Sequence, residues 1–233
     1  MADEKLVLVS EDMPDSVEKI FGFLGYGCVR LPKFDVLDTP VASHPDMLFF
    51  ALPDGKLLCD KRYYEKNTEL LGSCGERFVF SVKELGAKYP YDVAFDTFGI
   101  NGTVYGRVDS IAPEILEVSE KAVNVNQGYA KCSVLLTDKC AITADCGLYK
   151  ALTENGVDTL KISPGNVDLP GYGSGFIGGS SFFDPISDTV VFFGDLSAHP
   201  DYETISAFLS EHGHKELFDD KIPLTDLGGA VTV

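Results

Sequence analysis

Short apolar runs alternate with amphipathic stretches along the whole chain. Residues 6–9 form an apolar run that predicts a strand, and apolar residues recur at helical spacing over 16–24, where Gly25 predicts the helix end. Residues 28–31 predict the next strand, and residues 47–52, MLFFAL, predict a further strand that is apolar throughout. The beginning of the chain therefore predicts the order strand, helix, strand, loop, strand.

A turn sequence follows this last strand. The Pro-Asp-Gly sequence at 53–55 is typical of a tight turn, and residues 56–59 resume as an apolar run, so the segment predicts a β-hairpin. His44 and Asp46 come just before it. Alternate side chains of an extended chain share a face, so we expect the imidazole and the carboxylate to point the same way. His44 and Asp46 fit either a functional site or a solvent-exposed strand end.

The same order of elements recurs as an internal repeat. The units that begin near residues 140 and 190 each repeat strand, helix, strand, loop and strand, and the middle of the chain fits the same rhythm with weaker signals. Five units of about 45 residues account for nearly all 233 residues, so we expect one domain over residues 1–233. The predicted helices cover residues 16–24, 63–71, 111–120, 145–155 and 199–211.

The candidate site follows from how such units assemble. One unit cannot bury its own sheet face, so the copies must close around a shared axis or stack in an array. Closure removes exposed sheet edges and brings the ends of equivalent strands together near the axis. The polar residues at those ends are His44, Asp46, Asn101, Gln127, Lys131, Cys132, Ser180 and Asp226.

The charge balance narrows the class of partner. The chain has 36 acidic and 19 basic residues, a formal net charge of −17. Nucleic-acid binding needs clustered Lys and Arg against the phosphates, so we expect no nucleic-acid partner. A negative field focused in a cleft concentrates small cations, whereas a uniformly negative surface only keeps a protein in solution. We expect a small-molecule ligand, with a cation as one option, and the oligomeric state stays open.

The apolar runs and the cysteines indicate the compartment. No run approaches the ~20 apolar residues of a membrane-spanning helix, and Asp3 and Glu4 stand where a signal peptide carries basic residues. We therefore expect a cytoplasmic protein without a membrane partner, whose six cysteines are reduced. The cysteines form no CxxC pair and no zinc spacing, and most of them fit small apolar residues of strands. We expect neither a metal nor an organic cofactor.

Two segments resemble those of a known superfamily. The sequence HPDMLFF at 44–50, followed by Asp-Gly-Lys at 54–56, resembles the His-x-Asp motif of the pentein, or guanidino-group-modifying, superfamily. Residues 128–135, GYAKCSVL, resemble the glycine-led strand that carries the nucleophilic cysteine of that superfamily. Its members include arginine deiminases, dimethylarginine hydrolases and amidinotransferases. The resemblance implies an α/β fold of the five-bladed propeller type, with strand-helix-strand repeats around a pseudo-fivefold axis.

The resemblance also implies an activity and the roles of three residues. It implies a hydrolase or transferase that acts on an arginine-like guanidino or amidine compound. Cys132 would be the nucleophile, His44 the general acid/base and Asp46 the carboxylate that binds the guanidinium. A guanidinium carbon is a poor electrophile, so the chemistry calls for a thiolate, carboxylates that hold the planar cation and a proton donor for the departing amine.

The C-terminal end departs from the superfamily pattern. The usual nucleophile lies in the last repeat after a glycine cluster, whereas residues 228–233, GGAVTV, contain no cysteine. Cys132 takes that role only if the repeats are permuted. The sequence thus predicts a branch without the usual C-terminal catalytic cysteine. Two hypotheses stay open: an enzyme, and a noncatalytic protein that binds a small ligand or a protein partner in the same central cavity.

Several residues also have purely structural interpretations. Cys132 fits a core cysteine on a strand. A second His-Pro-Asp sequence, at 199–201, follows Ser197, which we expect to cap a helix whose first turn holds Pro200 and Asp201. Residues 171–179, GYGSGFIGG, lack the Lys-Ser/Thr ending of a phosphate loop and precede a strand, so we expect a rim or lid loop there.

Overall fold

Short strands dominate the fold. A computed structural model describes residues 5–233, and Asp3 and Glu4, on which the absence of a signal peptide was predicted, lie outside the described residues. The strands β1–β15 are Lys5–Ser10, Tyr26–Leu31, Phe49–Ala51, Leu57–Cys59, Phe78–Phe80, Phe98–Ile100, Thr103–Gly106, Lys121–Asn124, Val134–Leu136, Cys140–Thr143, Asp158–Lys161, Ser181–Asp184, Thr189–Phe192, Lys215–Leu217 and Val231–Thr232.

Helices connect some of these strands. The helices α1–α7 are Asp15–Phe23, Pro45–Leu48, Lys61–Lys66, Thr68–Gly72, Pro113–Glu117, Cys146–Glu154 and Tyr202–Glu211, and 3₁₀ turns cover Thr39–Val41 and Leu196–Ala198. No helix within residues 5–233 has the length and apolar character needed to cross a bilayer.

The strands form five three-stranded sheets with one common topology. In each sheet the middle strand pairs antiparallel with one neighbour and parallel with the other. A parallel pair needs a crossover connection, and α1, α3 with α4, α5, α6 and α7 supply it. The strand orders are β15-β1-β2, β3-β4-β5, β6-β7-β8, β9-β10-β11 and β12-β13-β14. The fold is therefore mixed α/β, as predicted.

The first sheet contains both ends of the described chain. Strand β15 pairs antiparallel with β1, with Val7 opposite Thr232 and Leu8 opposite Val231. This pairing brings β15, five residues after Asp226, against the beginning of the chain.

Four apolar clusters join the sheets. One contains residues of the first, second and third sheets, one joins the third to the fourth, one joins the fourth to the fifth, and one joins the fifth to the first. In the last of these, Phe21 of α1 packs against Phe182 of β12 and Phe193, with ring centroids 5.3 and 6.2 Å apart. Each sheet thus buries its apolar residues against its neighbours.

Two predicted elements differ near the candidate site. The strand predicted at 47–52 begins only at Phe49, because Pro45 occupies the first position of the helical turn α2, where its fixed φ favours a helix. The hairpin of β3 and β4 is present, but His44 and Asp46 lie before and within a helical turn, so the prediction that they alternate along a strand is wrong. The strand after Cys132 likewise begins at Val134.

Two predicted helices also differ. The helix predicted at 63–71 is divided at Asn67 into α3 and α4. The helix predicted from residue 199 begins at Tyr202, and Asp195, which accepts a hydrogen bond from the backbone N–H of Ser197, caps the 3₁₀ turn before it. The predicted N-cap role of Ser197 is therefore wrong.

Candidate active site

The His-Pro-Asp sequence at 44–46 lies directly before β3. His44 is the N-cap of α2 and Asp46 lies in its first turn. The backbone N–H of Asp46 donates to the carbonyl oxygen of Gly228 at 3.1 Å. Gly228 has φ +74°, and a Cβ there would overlap His44. A glycine is therefore required where the segment before β15 packs against His44.

Cys132 lies in the turn before β9, and its thiol faces Asp46. The thiol Sγ donates to Asp46 Oδ2 at 2.8 Å. The backbone N–H groups of Lys131 and Cys132 donate to Asp96 Oδ1 at 2.7 and 3.1 Å. The carbonyl oxygen of Cys132 accepts from the N–H of Gly179 at 2.9 Å. Segments before three other strands, β3, β6 and β12, thus hold the cysteine.

Asp226 lies beside His44. Its Oδ1 is 3.8 Å from His44 Nδ1. Its two carboxylate oxygens accept from the N–H of Gly228 at 3.1 Å and from that of Phe176 at 2.9 Å. We call His44, Asp46, Asp96, Cys132 and Asp226 the thiol cluster; all five side chains are buried.

Burial sets the protonation states of the thiol cluster. It lowers the pKa of His44 to about 3, so the imidazole is neutral. Burial, reinforced by the charge of Asp46, raises the pKa of Asp226 to about 7 and holds that of Asp96 well above its ordinary value. Burial also raises the pKa of Asp46. Burial and the charges of the three carboxylates raise the pKa of the Cys132 thiol, so the thiol is protonated.

Some polar atoms of the thiol cluster have no hydrogen-bond partner within residues 5–233. They are His44 Nδ1, Asp46 Oδ1 and Asp96 Oδ2. Buried polar atoms are almost always hydrogen-bonded, so water, an ion or a ligand would complete the hydrogen bonding of these three atoms. Donor atoms of His44, Asp46 and Cys132 lie within 4.8 Å of one another, and this set of imidazole, carboxylate and thiol also suits a metal ion.

A cavity of about 690 Å³ reaches the thiol cluster at Asp46. Residues of the edge strands β3, β6, β9, β12 and β15 all line its wall. Asp46 belongs to its lining, whereas His44, Asp96, Cys132 and Asp226 do not.

The other predicted site residues do not belong to the thiol cluster. Lys131 lines the large cavity, as does Asn101, which lies in the turn after β6 at the opposite end of that strand from Asp96. Gln127 lines a separate cavity of about 170 Å³. Ser180 is buried, and its hydroxyl donates to the carbonyl oxygen of Ile177 at 3.0 Å.

Sequence reasoning missed Asp96. Asn101 was predicted to lie at one of the converging strand ends, but Asn101 and Gly102 form the hairpin turn between β6 and β7. The signal was present, because Asn-Gly is the typical two-residue hairpin turn. With the turn assigned correctly, Asp96 lies two residues before β6, as Cys132 lies two residues before β9.

A family model and several solved structures match the chain. The model of a family of unknown function, DUF6873, matches residues 8–231. No curated protein matches it in sequence. A dimethylarginine dimethylaminohydrolase, solved as its adduct with S-methyl-L-thiocitrulline, is similar in structure, with a TM-score of 0.58 and 7% identity over 93% of this chain and 92% of that chain.

Two further solved structures are similar at the same level. An agmatine deiminase from C. jejuni has a TM-score of 0.51 and 10% identity, covering 92% of this chain and 76% of that chain. An amidinotransferase of the saxitoxin biosynthetic pathway from Microseira wollei has a TM-score of 0.50 and 11% identity, covering 88% of this chain and 73% of that chain. The chain therefore belongs to the DUF6873 family of unknown function, and its fold is that of the pentein, or guanidino-group-modifying, superfamily.

Proposed function

We propose that this protein is an enzyme that modifies a guanidino or amidino group of a cationic small molecule through a covalent bond to Cys132. The convergence of one thiol, one imidazole and three carboxylates carries the proposal. Within residues 5–233, none of these carboxylates forms an ion pair with Lys or Arg; the sole ion-pair contact is that of Asp226 with the imidazole of His44. Unpaired buried carboxylates are costly, so a bound cation would relieve them.

We further propose that the five sheets are the blades of a propeller around a pseudo-fivefold axis, within one domain. Two observations support this arrangement. Apolar clusters join each sheet to the next and the fifth sheet to the first. One cavity contacts the antiparallel edge strand of every sheet. A shared axis accounts for the convergence of five equivalent strand ends.

The open acceptor atoms suit a planar cation. Asp46 Oδ1 and Asp96 Oδ2 are buried without a partner, and both carboxylates lie near the thiol. A guanidinium or amidinium group presents N–H donors in one plane, and charge-assisted bonds to two carboxylates would fix its orientation. Its charge would also offset the carboxylates that raise the pKa of the Cys132 thiol.

The proposed reaction begins when that charge favours the thiolate. Cys132 Sγ passes its proton to Asp46 Oδ2, 2.8 Å away, and attacks the central carbon. The C–N bond to the leaving amine then breaks, and the amine takes a proton from His44, which is resupplied by Asp226 at 3.8 Å. In a hydrolase, water then attacks the same carbon and passes its proton through His44 back to Asp226. The C–S bond breaks and Cys132 Sγ regains its proton from Asp46; in a transferase an acceptor amine replaces the water.

A matched pair of reagents tests this proposal. 2-Chloroacetamidine is a cation and 2-chloroacetamide is its neutral counterpart, with the same reacting carbon. We expect Cys132 to react faster with the cation, whereas exposed Cys146 shows no such preference. Guanidinium at high concentration should slow labelling of Cys132 alone. Equal rates of the two reagents at Cys132 would contradict the proposal.

A noncatalytic ligand-binding protein is the second candidate. Complete burial of the thiol cluster and the raised pKa of Cys132 favour it, because a protonated, inaccessible thiol is unreactive. This second candidate function predicts that guanidinium or amidinium compounds bind and stabilise the fold while Cys132 stays unlabelled. Peptide mass spectrometry of the labelled protein separates the two candidates.

A further inference from the structure

The large cavity does not reach the thiol. Asp46 lines the cavity, but Cys132 does not. The thiol Sγ donates to Asp46 Oδ2, so the cavity contacts the thiol cluster at this carboxylate. A molecule that enters through the cavity meets Asp46 first. This geometry favours another route to Cys132.

A second candidate route passes under the connection between β11 and β12, which contacts Asp226. We call residues 163–177 of this connection the strap. The backbone N–H of Phe176 donates to Asp226 Oδ2 at 2.9 Å, and a Cβ at Gly175 would overlap Asp226. The strap also bonds to itself, because the N–H of Gly175 donates to the carbonyl oxygen of Val167 at 2.8 Å. The strap backbone thus covers Asp226 directly.

The strap is also attached at its exposed end. The hydroxyl of Tyr172 donates to Asp38 Oδ2 at 2.7 Å, and Gly171 packs against Pro40. Asp38 and Pro40 belong to the segment that leads to His44. Tyr172 is 46% exposed, so water competes for this bond and its net contribution is small.

The composition of the strap suits a segment that changes conformation. Glycines at positions 171, 173 and 175 surround the attachment, and Gly171 has φ +97°, a conformation that other residues rarely adopt. Glycine-rich segments reorganise at low steric cost, and lids that close over buried sites are commonly built this way.

We propose that the strap is the gate to Cys132 and that the hydrogen bond from Tyr172 to Asp38 is its latch. Opening breaks the latch and the bond from Phe176 to Asp226, which uncovers the side of the thiol cluster that the cavity does not reach. Closing excludes water from the cluster. The gate rests on the proposed function only in taking Cys132 as the group that must be reached.

The Tyr172→Phe variant tests the latch, because it removes the hydroxyl and keeps the ring. With neutral 2-chloroacetamide, we expect labelling of Cys132 to accelerate about fivefold, the change that loss of one exposed hydrogen bond allows. Labelling of exposed Cys146 should not change. Asp38 is a poorer target, because its Oδ1 also accepts from the N–H of Thr39.

The chain offers a matched control for this variant. Tyr202 donates to Glu216 Oε1 at 3.1 Å, so Tyr202→Phe breaks a similar bond away from the strap. We expect it to leave labelling of Cys132 unchanged. Acceleration by Tyr202→Phe equal to that by Tyr172→Phe would overturn the gate, because general loosening would then explain both.

Hydrogen exchange gives a second measurement. In Tyr172→Phe, amide exchange in the strap, including Phe176, should accelerate together with labelling of Cys132. Unchanged exchange and unchanged labelling would overturn the gate. This outcome is independent of catalysis. If the proposed function is wrong, Cys132 shows no preference for the cationic reagent, but Tyr172→Phe still accelerates its labelling. If the gate is wrong, Cys132 prefers the cationic reagent, but Tyr172→Phe does not change its labelling.

Discussion

The sequence His-Pro-Asp occurs at 44–46 and at 199–201, and the two copies differ in what surrounds their carboxylates. Asp46 is buried beside Cys132, and burial raises its pKa. Asp201 lies at the surface before α7, where the backbone N–H of Ser163 donates to its carboxylate and lowers its pKa. The same tripeptide therefore contains a carboxylate with a raised pKa in one copy and a lowered pKa in the other.

The two histidines differ in the same way. His199 Nδ1 accepts from the backbone N–H of Asp201 at 3.1 Å, within its own segment. His44 Nδ1 has no hydrogen-bond partner and faces Asp226, from the other end of the chain. The second copy completes a local turn, whereas the first leaves polar atoms open to a ligand. The candidate site therefore depends on burial and on contacts with residues far away in the sequence, and not on the tripeptide itself.

The largest expected difference is in the reactivity of Cys132. If His44 acts in proton transfer, His44→Ala should slow the reaction of Cys132 with 2-chloroacetamidine by about a hundredfold, the lower range for loss of a general acid/base. His199→Ala should leave the rate within a few-fold of wild type, because it contacts no member of the thiol cluster in the observed hydrogen bonds. Equal rates in the two variants would remove the distinction between the copies.

The second prediction concerns the thiol pKa of Cys132. The charge of Asp46 raises this pKa, so Asp46→Asn should lower it, whereas Asp201→Asn should leave it unchanged. Thiolate ultraviolet absorbance as a function of pH measures it, with Cys132→Ser subtracted to isolate the signal. A thiol pKa that rises in Asp46→Asn would contradict the electrostatic account.

The third prediction concerns stability as a function of pH. The pKa of Asp226 is about 7 in the folded protein and ordinary in the unfolded chain, so Asp226 favours the folded state at low pH and loses that contribution as pH rises from about 4 to about 7. Asp226→Asn lacks this dependence. The stability of the variant relative to wild type should therefore increase across the window, by at most about 1.4 kcal/mol per pH unit.

Urea denaturation at several pH values measures this difference. The lowered pKa of His44 acts in the opposite direction, with stability rising as pH increases from about 3 toward its ordinary value. His44 is present in both proteins, so its contribution cancels to first order. The diagnostic quantity is the slope of the stability difference against pH. Asp226→Asn also alters the hydrogen bond from the Phe176 N–H, which adds a constant offset to that difference at every pH.

The smallest expected effect is at the second copy. Asp201→Asn weakens the bond from the Ser163 N–H, and the loss of one exposed hydrogen bond should cost about 0.5–1 kcal/mol of stability. Reactivity of Cys132 should stay at the wild-type rate. Slower labelling in this variant would show that the second copy also serves the site.

Local signals in the sequence predicted much of the fold. Gly25 and Gly156 mark the ends of the first and fourth long helical patterns, and the turn at 53–55 places the hairpin of β3 and β4 correctly. The repeated order of elements also led to equivalent strand ends, and from there to His44, Asp46, Cys132 and Asp226, which lie together in the thiol cluster.

The features that the sequence did not predict depend on contacts between residues far apart in the chain. Nothing near Asp96 indicates that the backbone of residues 131–132 will donate to its carboxylate. Nothing near residues 163–177 indicates that they will cover Asp226 or that Tyr172 will reach Asp38. The α2 turn was missed because the apolar run 47–52 hid the preference of Pro45 for a first helical position. Packing between sheets decides these features.

The central claim is that Cys132 forms a covalent bond to a guanidino or amidino carbon. Its most direct test is acid quenching during reaction with a panel of alkylguanidines and amidines, followed by mass spectrometry of the intact protein and its peptides. The account predicts an added amidino or alkylamidino mass from a guanidine, or an imidoyl mass from an amidine, on Cys132 alone and absent in Cys132→Ser. Turnover of a guanidino compound with no adduct at Cys132, or turnover that persists in Cys132→Ser, would contradict it.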